Sequence, residues 1–78
     1  MTENVDAPIE QGSHFWHMSF LTHNAIGLSA EERNGHWTPS PEMSRFDAMT
    51  EIRRQVVETN PYLVNAVMIS FDMQPNRI

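Results

Sequence analysis

Over residues 14–22 the chain alternates with a period of two. Trp16, Met18 and Phe20 fall on one side, and Phe15, His17, Ser19 and Leu21, with His23 just beyond, fall on the other, as successive residues of a pleated strand do. The first side is large and apolar, while the second mixes Phe15 and Leu21 with polar residues. This predicts a central strand with one face on a core and the other only partly protected. Asn24 and Gly27, each able to supply the positive φ of a hairpin loop, place a reversal at residues 23–27.

Residues 28–38 then read as a polar second strand with Glu31, Glu32, Arg33 and Asn34 at its middle. Such charge suits a sheet edge, where it discourages pairing with other chains. Leu28 and Ala30 share a phase that Trp37 does not, which predicts a bulge at Asn34-Gly35. Thr38-Pro39-Ser40-Pro41 is a stiff connector, because each proline fixes its own φ and extends the residue before it.

Beyond it, Ser44 stands where a hydroxyl caps a helix, and Asp47 lies in the first turn, near the positive end of the dipole. Phe46, Met49, Ile52 and Val56 recur at helical spacing as the inner stripe, with Ala48 and Val57 at its margins. Arg45, Glu51, Arg54, Gln55 and Glu58 take the outer side. Asn60-Pro61 ends the helix. Residues 64–73 form the last strand, with Val67, Ile69, Phe71 and Met73 on the core and Ala66, Met68, Ser70 and Asp72 on the other face.

Strand, strand, helix, strand is satisfied most simply by an α+β fold: a two-layer ββαβ sandwich whose three-stranded antiparallel sheet has the order 2-1-3, with one helix on one face. Residues 1–13, with three acids, Pro8, Gly12 and little to bury, are expected to be a disordered acidic arm, and residues 14–78 a single domain. One helix roofs one face only. An apolar patch of Phe15, Leu21, Ala66 and Met68 is therefore expected on the open side, with His17 among it, and these five residues are the expected interface. The last strand's outer edge, almost free of charge, is a second surface for a partner. The competing expectation is that one of the chain's ends folds over the patch.

Composition narrows the classes. Seventy-eight residues bury too little to be comfortably stable alone, which favours association with a second copy or another protein. No cysteine is present, so neither a disulfide nor a thiolate metal cage is available. No apolar run approaches the roughly 20 residues that span a bilayer, and no secretory pattern opens the chain, so a cytoplasmic protein without membrane contact is expected. The net charge of −5 speaks against nucleic acid as a partner. Arg45, Arg53 and Arg54 with Trp37 could touch a nucleic acid, but interleaved Glu51 and Glu58 read as a solvated helix face.

Four histidines raise the question of a metal. His14 and His17 take opposite faces of a strand, and His17 and His23 stand about 20 Å apart at roughly 3.3 Å per residue. No known ligand spacing is present, so no metal residue and no cofactor are assigned. A histidine-based metal or small-ligand site at a subunit interface is the alternative reading. Ser19 or Ser70, His17 or His23, and Asp72 supply the residue types of a hydrolytic triad, but one sheet and one helix offer little depth for a pocket, and a non-enzymatic protein is expected.

The combination Trp37-Thr38-Pro39-x-Pro41, Ser44-Arg45-x-Asp47, Ile52-Arg53, Asn60-Pro61 and Ile69-x-Phe71-Asp72-x-x-Pro75-Asn76 resembles short proteins of actinobacteria or their phages. The resemblance spans roughly residues 14–76. It implies a recurrent strand-strand-helix-strand module and transfers no functional residue. An accessory role in a phage or mobile element would suit the size and the acidic arm.

Overall fold

A computed structural model describes residues 11–78 as β1 (His14–Asn24), β2 (Gly27–Trp37), α1 (Arg45–Thr59), a single 3₁₀ turn (Pro61–Leu63) and β3 (Val67–Pro75). The strands form one antiparallel sheet in the order β2-β1-β3, with α1 packed on one face. This is the ββαβ sandwich that the alternation in β1 predicts. Most of the expected acidic arm lies outside the described residues. Its last part is tied down: the Gly12 N–H donates to His36 Nδ1 at 2.8 Å, the Ser13 N–H to Thr38 Oγ1 at 3.0 Å, and the Asn76 N–H to the Ser13 carbonyl at 2.8 Å. The folded unit therefore begins ahead of His14.

The β1–β2 ladder is unbroken from His14↔Trp37 to Asn24↔Gly27, so the expected bulge at Asn34-Gly35 does not exist. Leu28 and Ala30 simply face one side of the sheet and Trp37 the other. Ala25 and Ile26 make the loop. Gly27 (φ 134°) carries the one positive φ among the described residues. Asn24 does not share it; its Oδ1 instead accepts the Ile26 N–H at 3.0 Å, closing the turn through the side chain.

A bulge does occur, but in β3. Ser19 pairs with Ser70 and the next residue, Phe20, pairs with Met68, which leaves Ile69 without a partner on β1. Every side chain of β3 before Ile69 changes face as a result. Met68 turns to the helix side beside Phe20 and packs on the core, Ala66 is buried in it, and Val67 moves to the open face opposite Leu21. The expected placement of Ala66 and Met68 on the open face is thus corrected.

The Ser44 hydroxyl accepts the Asp47 N–H at 3.0 Å, the cap its position predicts. The buried stripe of α1 is Ala48, Ile52 and Val56, flanked by Met49 and Val57. Phe46, expected inside, is 69% exposed, because it lies two residues, about 200°, around the helix from Ala48. At the far end Asn60 bonds back to Val56, and Pro61 opens the 3₁₀ turn that delivers Leu63 into the core. Met18, Phe20, Ile52 and Leu63 are the fully buried large side chains, each worth roughly 1.5–3 kcal/mol of transfer free energy.

Polar bonds pin the layers at two places. Arg53 Nη2 donates to the Ala66 carbonyl at 2.8 Å, and its guanidinium carbon lies 6.0 Å from the centre of the Phe20 ring. On the β2 side, Arg33 Nη2 donates to Tyr62 Oη at 2.6 Å, to Glu31 at 3.0 Å and to Asn60 Oδ1 at 3.3 Å, joining the end of α1 to the edge strand. The Tyr62 hydroxyl donates in turn to Glu31 and, with Arg33, holds that carboxyl below its ordinary range; the same bond pushes the phenol upward. No helix among the described residues is long and apolar enough to cross a membrane.

Candidate interaction surface

The face of the sheet opposite α1 is laid out by the pairing register. Along β1 it presents Phe15, His17, Ser19, Leu21 and His23; the residues directly opposite on β2 are His36, Asn34, Glu32, Ala30 and Leu28; β3 contributes Gln74, Asp72, Ser70 and Val67. Three zones result. Near the hairpin, Ala30, Leu21 and Val67 stand in a row across all three strands, with Leu28 beyond them; Leu28 is 65% and Val67 64% exposed. Phe15, 40% exposed, stands at the other end between His36 and Gln74.

The middle is polar. His17 Nε2 is hydrogen-bonded to Glu32 Oε1, the Ser19 and Ser70 hydroxyls bond each other across β1 and β3, and Gln74 Nε2 donates to Asp72 at 2.9 Å. The apolar surface expected to be one patch is therefore two, separated by this band. Of the expected interface residues, Phe15, His17 and Leu21 occupy the open face, whereas Ala66 and Met68 belong to the core side. Val67 and Leu28 replace them. Leu28 could be found from its shared phase with Ala30 had the ladder been read as regular; Val67 carries no local signal, since its facing depends on the bulge.

A second apolar surface flanks β3. Ile69, 57% exposed at the bulge, lies on the strand itself. Exposed Phe46 stands over a groove of about 430 Å³ formed with Arg45, Met49 and Phe71. One helix above three strands does not roof the outer flank of β3, and this groove is the uncovered part. Another cleft, about 320 Å³, lies at the start of α1 between His14, Pro39, Met43, Arg45 and Met73.

The histidines do not converge. His36 lies opposite Phe15 rather than opposite another histidine, and its Nδ1 accepts the Gly12 N–H; His14 Nδ1 bonds Ser13 Oγ; His23 sits at the hairpin end opposite Leu28. Among the described residues no group of three or more His, Asp or Glu side chains is placed to hold a metal ion. Of the residue types of a triad, His17 bonds Glu32 rather than Asp72 and the two serines bond each other, so among the described residues neither of these serines is hydrogen-bonded to a histidine. Four of the five arginines are engaged: Arg33 with Glu31 and Tyr62, Arg54 with Glu51 at 2.6 Å, Arg45 with Asp72 at 3.7 Å and Arg53 with the Ala66 carbonyl.

The chain matches no family model, and neither a curated protein nor a solved structure matches it.

Proposed function

We propose that this chain is a non-enzymatic protein-interaction module that works as a homodimer. The observation that carries the reading is the division of the apolar surface. α1 covers one face of the sheet, and exposed Leu28, Val67, Ile69 and Phe46 remain outside that core, along the open face and the β3 flank. Exposed apolar area of this kind on so small a protein is characteristic of contact surfaces, and a short chain gains stability by burying it. The engaged arginines support a protein partner over a nucleic acid. The clefts are shallow and open to water, which supports binding over catalysis, since electrostatic stabilisation of a transition state needs water excluded.

Sedimentation velocity across a concentration series tests the reading. The wild type is expected to sediment as a dimer, and the double variant Val67→Glu/Ile69→Glu, at two exposed positions, as a monomer. A wild type that stays monomeric at every concentration overturns it.

A further inference from the structure

We infer that His36 is a proton-operated latch on the chain just ahead of β1: neutral, it holds Gly12 against the end of β2, and protonated, it lets Gly12 go. The inference goes beyond the homodimer reading above and does not rest on it.

The direction of one hydrogen bond makes the contact a latch. A backbone N–H can only donate, so the 2.8 Å bond from Gly12 to His36 Nδ1 requires a bare nitrogen there, with the hydrogen of the neutral ring on Nε2. An imidazolium bears N–H on both nitrogens and presents no acceptor. Protonation therefore sets two donors against each other. The remaining ties of the segment lack this property. The Ser13 N–H donates to Thr38 Oγ1, and Asn76 Nδ2 donates to Gln11 Oε1 and to the Gly12 carbonyl, none of which gains a proton near neutrality. His14 Nδ1 bonds the Ser13 hydroxyl, but a hydroxyl turns from donor to acceptor when the ring is protonated.

Gly12 fits this seat through its lack of a side chain. A β-carbon on it would stand 2.5 Å from the backbone N and C atoms of Trp37, so only glycine lies this close to β2. No acid shares the rung of His36. From β1, Phe15 stands directly opposite and His17 on the diagonal, beside Asn34; the rung continues to Gln74 on β3, and residues 11–13 bring no charge. The acids of this face, Glu32 and Asp72, flank His17, with Glu32 bonded to it. α1 covers the other face. Histidine side chains change charge between about pH 5 and 8, so the latch responds to mild acidification.

Amide relaxation measured by NMR at about pH 8 and about pH 5, with the histidine ring resonances followed between them, tests the latch. The Gly12 amide is expected to hold an order parameter of about 0.85 at the higher pH and to fall below about 0.6 as the His36 ring becomes charged, while the Phe20 amide stays rigid throughout. In His36→Asn the side-chain oxygen takes the place of Nδ1 and remains an acceptor, so Gly12 is expected to stay ordered at both pH values. Gly12→Ala, denied its seat on Trp37, is expected to leave the amide of residue 12 loose at both. A Gly12 amide that stays ordered while His36 becomes charged overturns the inference. So does a His36→Asn variant that loosens with acid as the wild type does. Neither result touches the homodimer reading, which sedimentation decides.

Discussion

The indole of Trp16 lies across Gly35, its direct partner on β2, so closely that a β-carbon at Gly35 would come within 3.0 Å of the ring. A side chain at this position competes with Trp16 for the same space. Gly35→Val is expected to cost about 1–3 kcal/mol through overpacking, read as a lower urea midpoint with a changed Trp emission. An unchanged midpoint would show that the ring can step aside.

Ile69 is the extra residue of the bulge, so its deletion should leave every cross-strand pair of β3 intact. Phe71 stays opposite Met18, Ser70 opposite Ser19 and Met68 opposite Phe20. The deletion variant is expected to fold with wild-type circular dichroism. Deleting Asp72 instead would turn Phe71 to the open face and Ser70 toward the core, and that variant is expected to be unfolded. If the two deletions behave alike in thermal melts, the register is not as described.

Arg53 reaches from α1 to the carbonyl of Ala66, the residue before β3. Arg53→Met keeps much of the aliphatic contact but leaves that carbonyl without its donor, at a cost of about 1–3 kcal/mol. Chemical denaturation measures it, and amide exchange should quicken around residues 63–68 first.

Glu51 is held to a pKa of about 2, from an ordinary 4.5, chiefly by its hydrogen bonds from Arg54 and then Gln55. A carboxyl depressed in the folded state stabilises above its unfolded pKa, and that contribution is lost as pH falls from about 4.5 toward 2. The melting temperature of Glu51→Gln should therefore fall less steeply than that of the wild type across this window. Because the group is solvent-facing, added salt should narrow the difference between the two. Identical pH profiles would mean that the Arg54 contact is not maintained in solution.

The sheet order was legible because β1 is apolar on one whole face and half apolar on the other, which only a central strand tolerates, while β2 carries charge that only an edge tolerates. The Ser44 cap was equally local: a hydroxyl three residues before an amide it can accept. The misplaced residues share a different cause. Ala66, Met68 and Val67 depend on one inserted residue, Ile69, and nothing in Val-Met-Ile-Ser-Phe distinguishes a bulge from an even ladder, since no glycine marks it. Phe46 and Ala48 exchange the expected roles because position around the helix, not size, decides burial: a small residue lets the first turn of α1 approach the sheet. The burial of Leu63 has no signal in the sequence, since a proline marks where a helix stops, not where the next side chain lands. Two of the five expected interface residues were lost to the bulge alone.

The hydrogen bond from Asn76 to Ser13 closes the β1–β3 ladder at the end away from the hairpin, where both strands meet their flanking segments. Tension applied through those two segments would peel β3 from β1 like a zip, rung after rung from Asn76 inward, instead of loading all rungs together in shear. The domain should accordingly yield at low force when pulled by its ends, and resist far better when the grip is moved to the Ala25-Ile26 tip and the Asn76 flank.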